Sequence, residues 1–273
     1  MHLSHLNYAI WILGGLLEIL VCALAYRRGL YRRLPFFTAY MAALVAESVV
    51  LWVVYHAFGY ASWAAYDVAW TSNAILLAAR GLIIGELCFR VLREYRGIWA
   101  LAWRILLAVS SLFILNAAIE SASRPYWLDT FVLTLDRDLE LAAAAVLIAL
   151  LLIGRYYQLD LDRLERRIAA GLCVYSVAIV ITNAVMVHAV ATHLPGWIGY
   201  HAWLQQSQSW WTTARTLPAL GIFGVWAVTL AQPVPAARPA PILLPASAYR
   251  ELSPAVNFRL NALNTRLLEL LKP

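Results

Sequence analysis

Charge is scarce in this chain, lysine almost absent and cysteine rare. Asp, Glu, Lys and Arg make up 13% of the 273 residues against 63% hydrophobic ones, about half the charged share of an ordinary soluble domain. The single lysine, Lys272, excludes a retinal Schiff base on a membrane helix. Cys22, Cys88 and Cys173 stand in no CxxC or CxxH pair, so a thiolate metal site is excluded and buried small hydrophobes are expected. There is no phosphate-cradling glycine loop, no His-Glu-x2-His and no Gly-x-Ser-Gly, which removes nucleotide-driven, zinc-protease and rhomboid-type chemistry. An enzyme is not expected, nor is a cofactor or a metal. No polar gap exceeds about fifteen residues, leaving no room for an inserted soluble domain.

What the chain does have is seven long apolar blocks, over 6–26, 36–58, 66–89, 98–120, 131–154, 168–190 and 203–230. Each reaches the ~20 residues that span a hydrocarbon core. The arginines fall in alternate gaps. Arg27, Arg28, Arg32 and Arg33 follow the first block, Arg90, Arg93, Arg96 and Arg104 surround the next such gap, and Arg155, Arg163, Arg166 and Arg167 the third. The other three gaps hold Arg124 alone. This asymmetry predicts an all-α, seven-transmembrane-helix bundle in the cytoplasmic (inner) membrane, N-terminus outside and C-terminus cytoplasmic. The first block lacks a basic leader and is expected to stay uncleaved. The +6 net charge then belongs to a rim facing anionic lipid, not to nucleic acid.

The boundaries follow composition. Residues 1–231 form the membrane domain, 232–252 a proline-rich linker, and 253–273 a cytoplasmic amphipathic helix. In the last, Ser253-Pro254 is a start signal, and Val256, Leu260, Leu263, Leu267 and Leu270 share a stripe. Pro35 marks the start of the second block, Gly59 its end, and Pro218 should kink the seventh. The segment 155–167 reads as a charged helix lying against the membrane.

Ionisable residues inside apolar blocks carry the functional signal, since each costs roughly 2.5–3.5 kcal/mol to insert. Glu18, Glu47, Arg80 and Arg215 fall near mid-depth and are expected to pair as a neutral set. In the fifth block Asp136 and Glu140 lie about 40° apart on one face. Arg137 can reach Glu140, and salt bridges at the mouth of the bundle are the favoured reading. In the seventh block His201, Gln205, Gln208, Thr212 and Arg215 recur at four, three, four and three, a continuous polar stripe. Asn73 and Arg80 on the third block, or Asn183 on the sixth, can face it. The six histidines gather towards the outer end, without the i, i+4 spacing of a helix-borne metal site. Glu86 and Arg90 suggest a helix-end salt bridge.

Three stretches, RGLYRRLPFFTAY (28–40), GELCFRVLREYRGIWAL (85–101) and LDRDLELAAAAVLIALLL (135–152), together resemble an uncharacterised family of bacterial seven-helix proteins. The resemblance covers the first five blocks and implies a fold without an activity. The residues themselves favour a receptor-like sensor. A small, anionic ligand or proton would enter an outward-facing cleft lined by Arg80, Asn73, Asp136, Glu140, Gln205, Gln208, Thr212 and Arg215. A partner protein would read the change at the arginine-rich inner loops or at 253–272. A non-catalytic subunit of a larger membrane complex and a small-molecule transporter are the alternatives.

Overall fold

The computed structural model is all-α. It describes residues 5–59, 62–92, 96–122, 127–156, 162–193 and 197–232, together with 262, 264–266 and 269–270. The side chains of 5–8, 96, 129, 155–156, 186–193 and 197–212 lie outside the description as well. Eight helices are found among the described residues: α1 (His5–Arg27), α2 (Leu30–Arg33), α3 (Pro35–Phe58), α4 (Trp63–Leu92), α5 (Arg96–Ser121), α6 (Trp127–Tyr156), α7 (Arg163–His193) and α8 (Trp197–Ala231). All but α2 follow the apolar blocks in order. Five stretches, Ala9–Arg27, Pro35–Phe58, Gly97–Ser121, Arg163–Val185 and Thr213–Ala231, are long and apolar enough to cross a membrane. The chain is a multi-pass helical membrane protein. The five include neither α4 nor α6, the helices that carry Arg80, Asp136 and Glu140.

The turn after α1 needs a left-handed residue, and Gly29 supplies it at φ 67°. Pro35 occupies the first turn of α3, where its missing N–H has no helical partner to lose. Six long helices close into a ring, α1–α3–α4–α6–α7–α8, and α5 leans on α6 from outside. Accordingly α5 presents Leu101, Ile105, Leu107, Leu112, Leu115 and Ile119 outward, as a lipid-facing helix must.

The apolar core fills the arginine-rich half of the ring. Val21, Ala25, Leu34, Phe37, Met41, Leu87, Leu147, Ile168 and Leu230 are all buried there. Trp226 is its centrepiece. The indole meets Phe37 edge-on at 5.2 Å between ring centroids and donates from Nε1 to the Arg167 carbonyl at 3.2 Å. Gly171 makes room for it: a Cβ there would lie 2.6 Å from Trp226 Nε1. Close approach through a small residue is how membrane helices gain dispersion contact.

Arginines staple the same end. Arg28 donates to the Gln232 carbonyl, Arg33 pairs with Asp162, Arg90 with Glu165, and Arg167 donates to Thr229 Oγ1 at 2.7 Å. The expected Glu86–Arg90 pair is thereby corrected. Glu86 instead accepts from the Phe36 and Phe37 amides at 3.4 and 3.2 Å. Those donors are orphans of the first turn of α3, and a carboxylate there also suits the positive end of the helix dipole. With Glu86 so engaged, Arg90 turns to α7.

The segment 155–167 is corrected in part. Arg163–Arg167 opens α7 instead of forming a separate surface helix, while 157–161 lie outside the described residues. The linker beyond Gln232 and most of 253–273 also fall outside them. Residues 264–266 are helical, and Asn264 Oδ1 accepts from the Gly97 amide at 2.6 Å, capping the start of α5.

Candidate functional site

The other half of the ring is held by charge. α6 begins at Trp127, which carries Asp136 about 14 Å along the helix and brings it level with Arg80 of α4 and Arg215 of α8. Asp136 is 0% exposed and Glu140, one turn on, is 2% exposed. Arg80 Nη2 donates to Asp136 Oδ1 at 2.9 Å, and Arg215 Nη2 donates to Oδ2 of the same carboxylate at 2.9 Å. Asn183 Nδ2 of α7 donates to Oδ2 as well, at 3.1 Å. One carboxylate thus ties α4, α6, α7 and α8.

Arg80 makes a second ion pair, Nη1 to Glu140 Oε1 at 2.9 Å. That approach is too poorly aligned to be a hydrogen bond, so Arg80 Nε and Nη1, Glu140 Oε1 and Asn183 Oδ1 keep unused bonding capacity. The guanidinium carbon also sits 5.0 Å from the centre of the Tyr175 ring, a cation–π contact in a dry setting. Ser176 of α7 lies against Glu140, and Tyr40 of α3 within electrostatic range of Arg80 and Glu140. Four fully or nearly buried charges are compensated here, as charges out of water must be.

Of the residues anticipated for a cleft, the structure brings Arg80, Asp136, Glu140 and Arg215 together. Asn73 is half-buried on α4, and no described hydrogen bond or ion pair joins it to them. The side chains of His201, Gln205, Gln208 and Thr212 lie outside the described residues. The anticipated pairing of Glu18 and Glu47 with the arginines is corrected: both arginines go to α6. Glu47 Oε1 accepts from Ser72 Oγ at 2.8 Å, and Glu18 Oε2 accepts from Ser48 Oγ at 2.8 Å. Helix adjacency does not decide this: α3, which bears Glu47, packs on α4, and α1, which bears Glu18, packs on α8, yet both arginines turn to the α6 carboxylates. Among the described residues, Arg80 and Arg215 are thus matched by Asp136 and Glu140, while Glu18 and Glu47 bond to serines instead.

Two further readings change. Arg137 Nε donates to Asp138 Oδ1 at 2.8 Å, not to Glu140, and Asn116 of α5 reaches the other oxygen of Asp138 at 3.3 Å. The Asp136 and Glu140 bridges stand inside the bundle, not at its mouth. Tyr175, Ser176, Ser48 and Ser72 were missed by sequence reasoning. Only Ser176 left a signal, seven residues before Asn183 on the same face. Among the described residues no group of three or more His, Cys, Asp or Glu could hold a metal ion. His56 stacks on Trp52 at 5.1 Å, and the other histidine side chains lie outside the description.

No family model, no curated protein and no solved structure matches the chain.

Proposed function

We propose that this chain is a receptor-like sensor of the inner membrane, with seven spanning helices, its N-terminus outside and its C-terminus cytoplasmic. A small anion, or a proton, opens the Arg215–Asp136 bridge and so loosens α8 from α6. The observation that supports this reading is the sharing of Asp136. A ligand carboxylate competing for Arg215 leaves Asp136 still held by Arg80 and Asn183, so the bridge breaks without stranding a buried charge. A proton on Asp136 weakens the same link. Arg215 is also the most accessible partner, 14% exposed against 5% for Arg80 and 0% for Asp136. The arginine-rich turns and the stretch after 253 are where a partner protein would read the change.

The reading is tested by purifying the protein in a mild detergent and identifying by native mass spectrometry whatever travels with it. A small anionic molecule is expected with the wild type and lost in Arg215→Leu protein that still elutes as a single species. A stoichiometric protein partner on an otherwise empty bundle would instead make this a subunit of a larger complex. Transport is a second reading, favoured by Pro218 within α8, three residues past Arg215. It requires flux of the identified molecule into liposomes, which a sensor does not give.

A further inference from the structure

A groove of about 280 Å³ runs between α1 and α3 on the outside of the ring, and Asp136 is not among its lining residues. Its walls are apolar, Ile12, Leu16, Ile19, Val45 and Val49, and all but Val45 are exposed side chains that face lipid. Its floor is not. Glu18 and Ser48 line it, bonded to each other at 2.8 Å. Glu18 thus sits at the bottom of a slot that opens sideways between two of the helices apolar enough to cross a membrane.

The charge at that floor is unbalanced. The titratable group in electrostatic range of Glu18 is Glu47, another carboxyl, and among the described residues no arginine pairs with Glu18. Arg80 and Arg215 act on Glu47 from a distance, but both are held by Asp136. Two neighbouring carboxyl groups at bilayer depth are, when ionised, balanced by a cation. Apolar walls open to lipid select a hydrocarbon chain. Trp11 and Trp52 also line the groove.

From this charge complementarity we infer that the α1–α3 groove binds a single-chain amphiphile with a protonated amine head, drawn from the membrane and held by Glu18. Its tail lies between Leu16 and Val49, and its ammonium donates to the Glu18 oxygen that Ser48 leaves free. The site does not depend on the Arg215–Asp136 bridge, so it can stand or fall separately from the sensor reading.

The test uses the full chain in phosphatidylcholine nanodiscs and radiolabelled dodecylamine, with empty nanodiscs as the partition baseline. Saturable binding of one dodecylamine per protein is expected, resisted by dodecanol and by dodecanoate as competitors. Glu18→Gln should weaken it about tenfold or more, because a charged partner has been removed. Gly15→Leu provides a second variant that leaves the carboxylate in place. Gly15 lines the groove and a Cβ there meets nothing within 4 Å, so a larger side chain has room to enter the groove. It should abolish binding. Uptake no greater than empty discs, equal competition by dodecanol, or unchanged binding in both variants would each overturn the site. If Glu18→Gln does not fold, Gly15→Leu decides alone.

Discussion

Asp136 is the residue on which the most depends, because two arginines and an asparagine share its two oxygens. Replacing it with Asn removes the carboxylate that Arg80 and Arg215 share. Removing one member of a buried pair costs about 3–5 kcal/mol. Asp136→Asn should therefore lower the unfolding midpoint in mixed micelles by an amount in that range. The Asp136→Leu/Arg215→Leu double variant should be less destabilised than the sum of the singles. Additive losses would mean that the two groups do not act as a pair. Gly171 gives a second expectation at this scale. Alanine there forces Trp226 out of its position, and overpacking of this kind costs about 1–3 kcal/mol. A weaker effect than Ala→Gly changes elsewhere on α7 would show that the indole has room to yield.

Among the elements, α3 and α8 make opposite demands. α3 starts against Glu86, whose carboxylate holds two of its first amides. Glu86→Ala should cost about 1 kcal/mol or somewhat more, as loss of a helix cap does, and should raise amide hydrogen exchange first at 36 and 37. α8 contains Pro218, which lacks the N–H that would reach the Ala214 carbonyl. Pro218→Ala should straighten this joint, and spin labels on the outer ends of α6 and α8 should report a narrower distance distribution.

The long helices were legible in the sequence because lipid demands continuous apolar runs, and Pro35 and Gly59 mark their ends by backbone chemistry alone. Depth was less legible. Counting from residue 131 put Asp136 near the mouth, but α6 starts at Trp127, four residues and about 6 Å earlier. Partners were the least legible. Glu86 and Arg90 are one turn apart and look paired, yet each serves a different helix, since only the ring order decides what faces them. Glu18 and Glu47 were assigned to arginines that α6 had already engaged.

At the scale of the whole molecule the arginine-rich turns predict an orientation that can be measured directly. Single cysteines placed at 29 and 162 should resist a membrane-impermeant maleimide applied to intact cells, while one at 62 should react. The reverse pattern would invert the topology and place the polar half of the ring on the other side. The two halves also differ in kind. One is jammed with side chains around Trp226, and the other is fastened by a few ionic links. Trp226 thus grips one end of α8, and Pro218 interrupts the helix between it and Arg215. Arg215 stands eleven residues out, about 16 Å along the helix. A tilt of only about 5° would carry it roughly 1.4 Å, enough to uncouple a 2.9 Å bridge. Parting this link therefore asks for a small bend of α8 and no large rearrangement of the bundle.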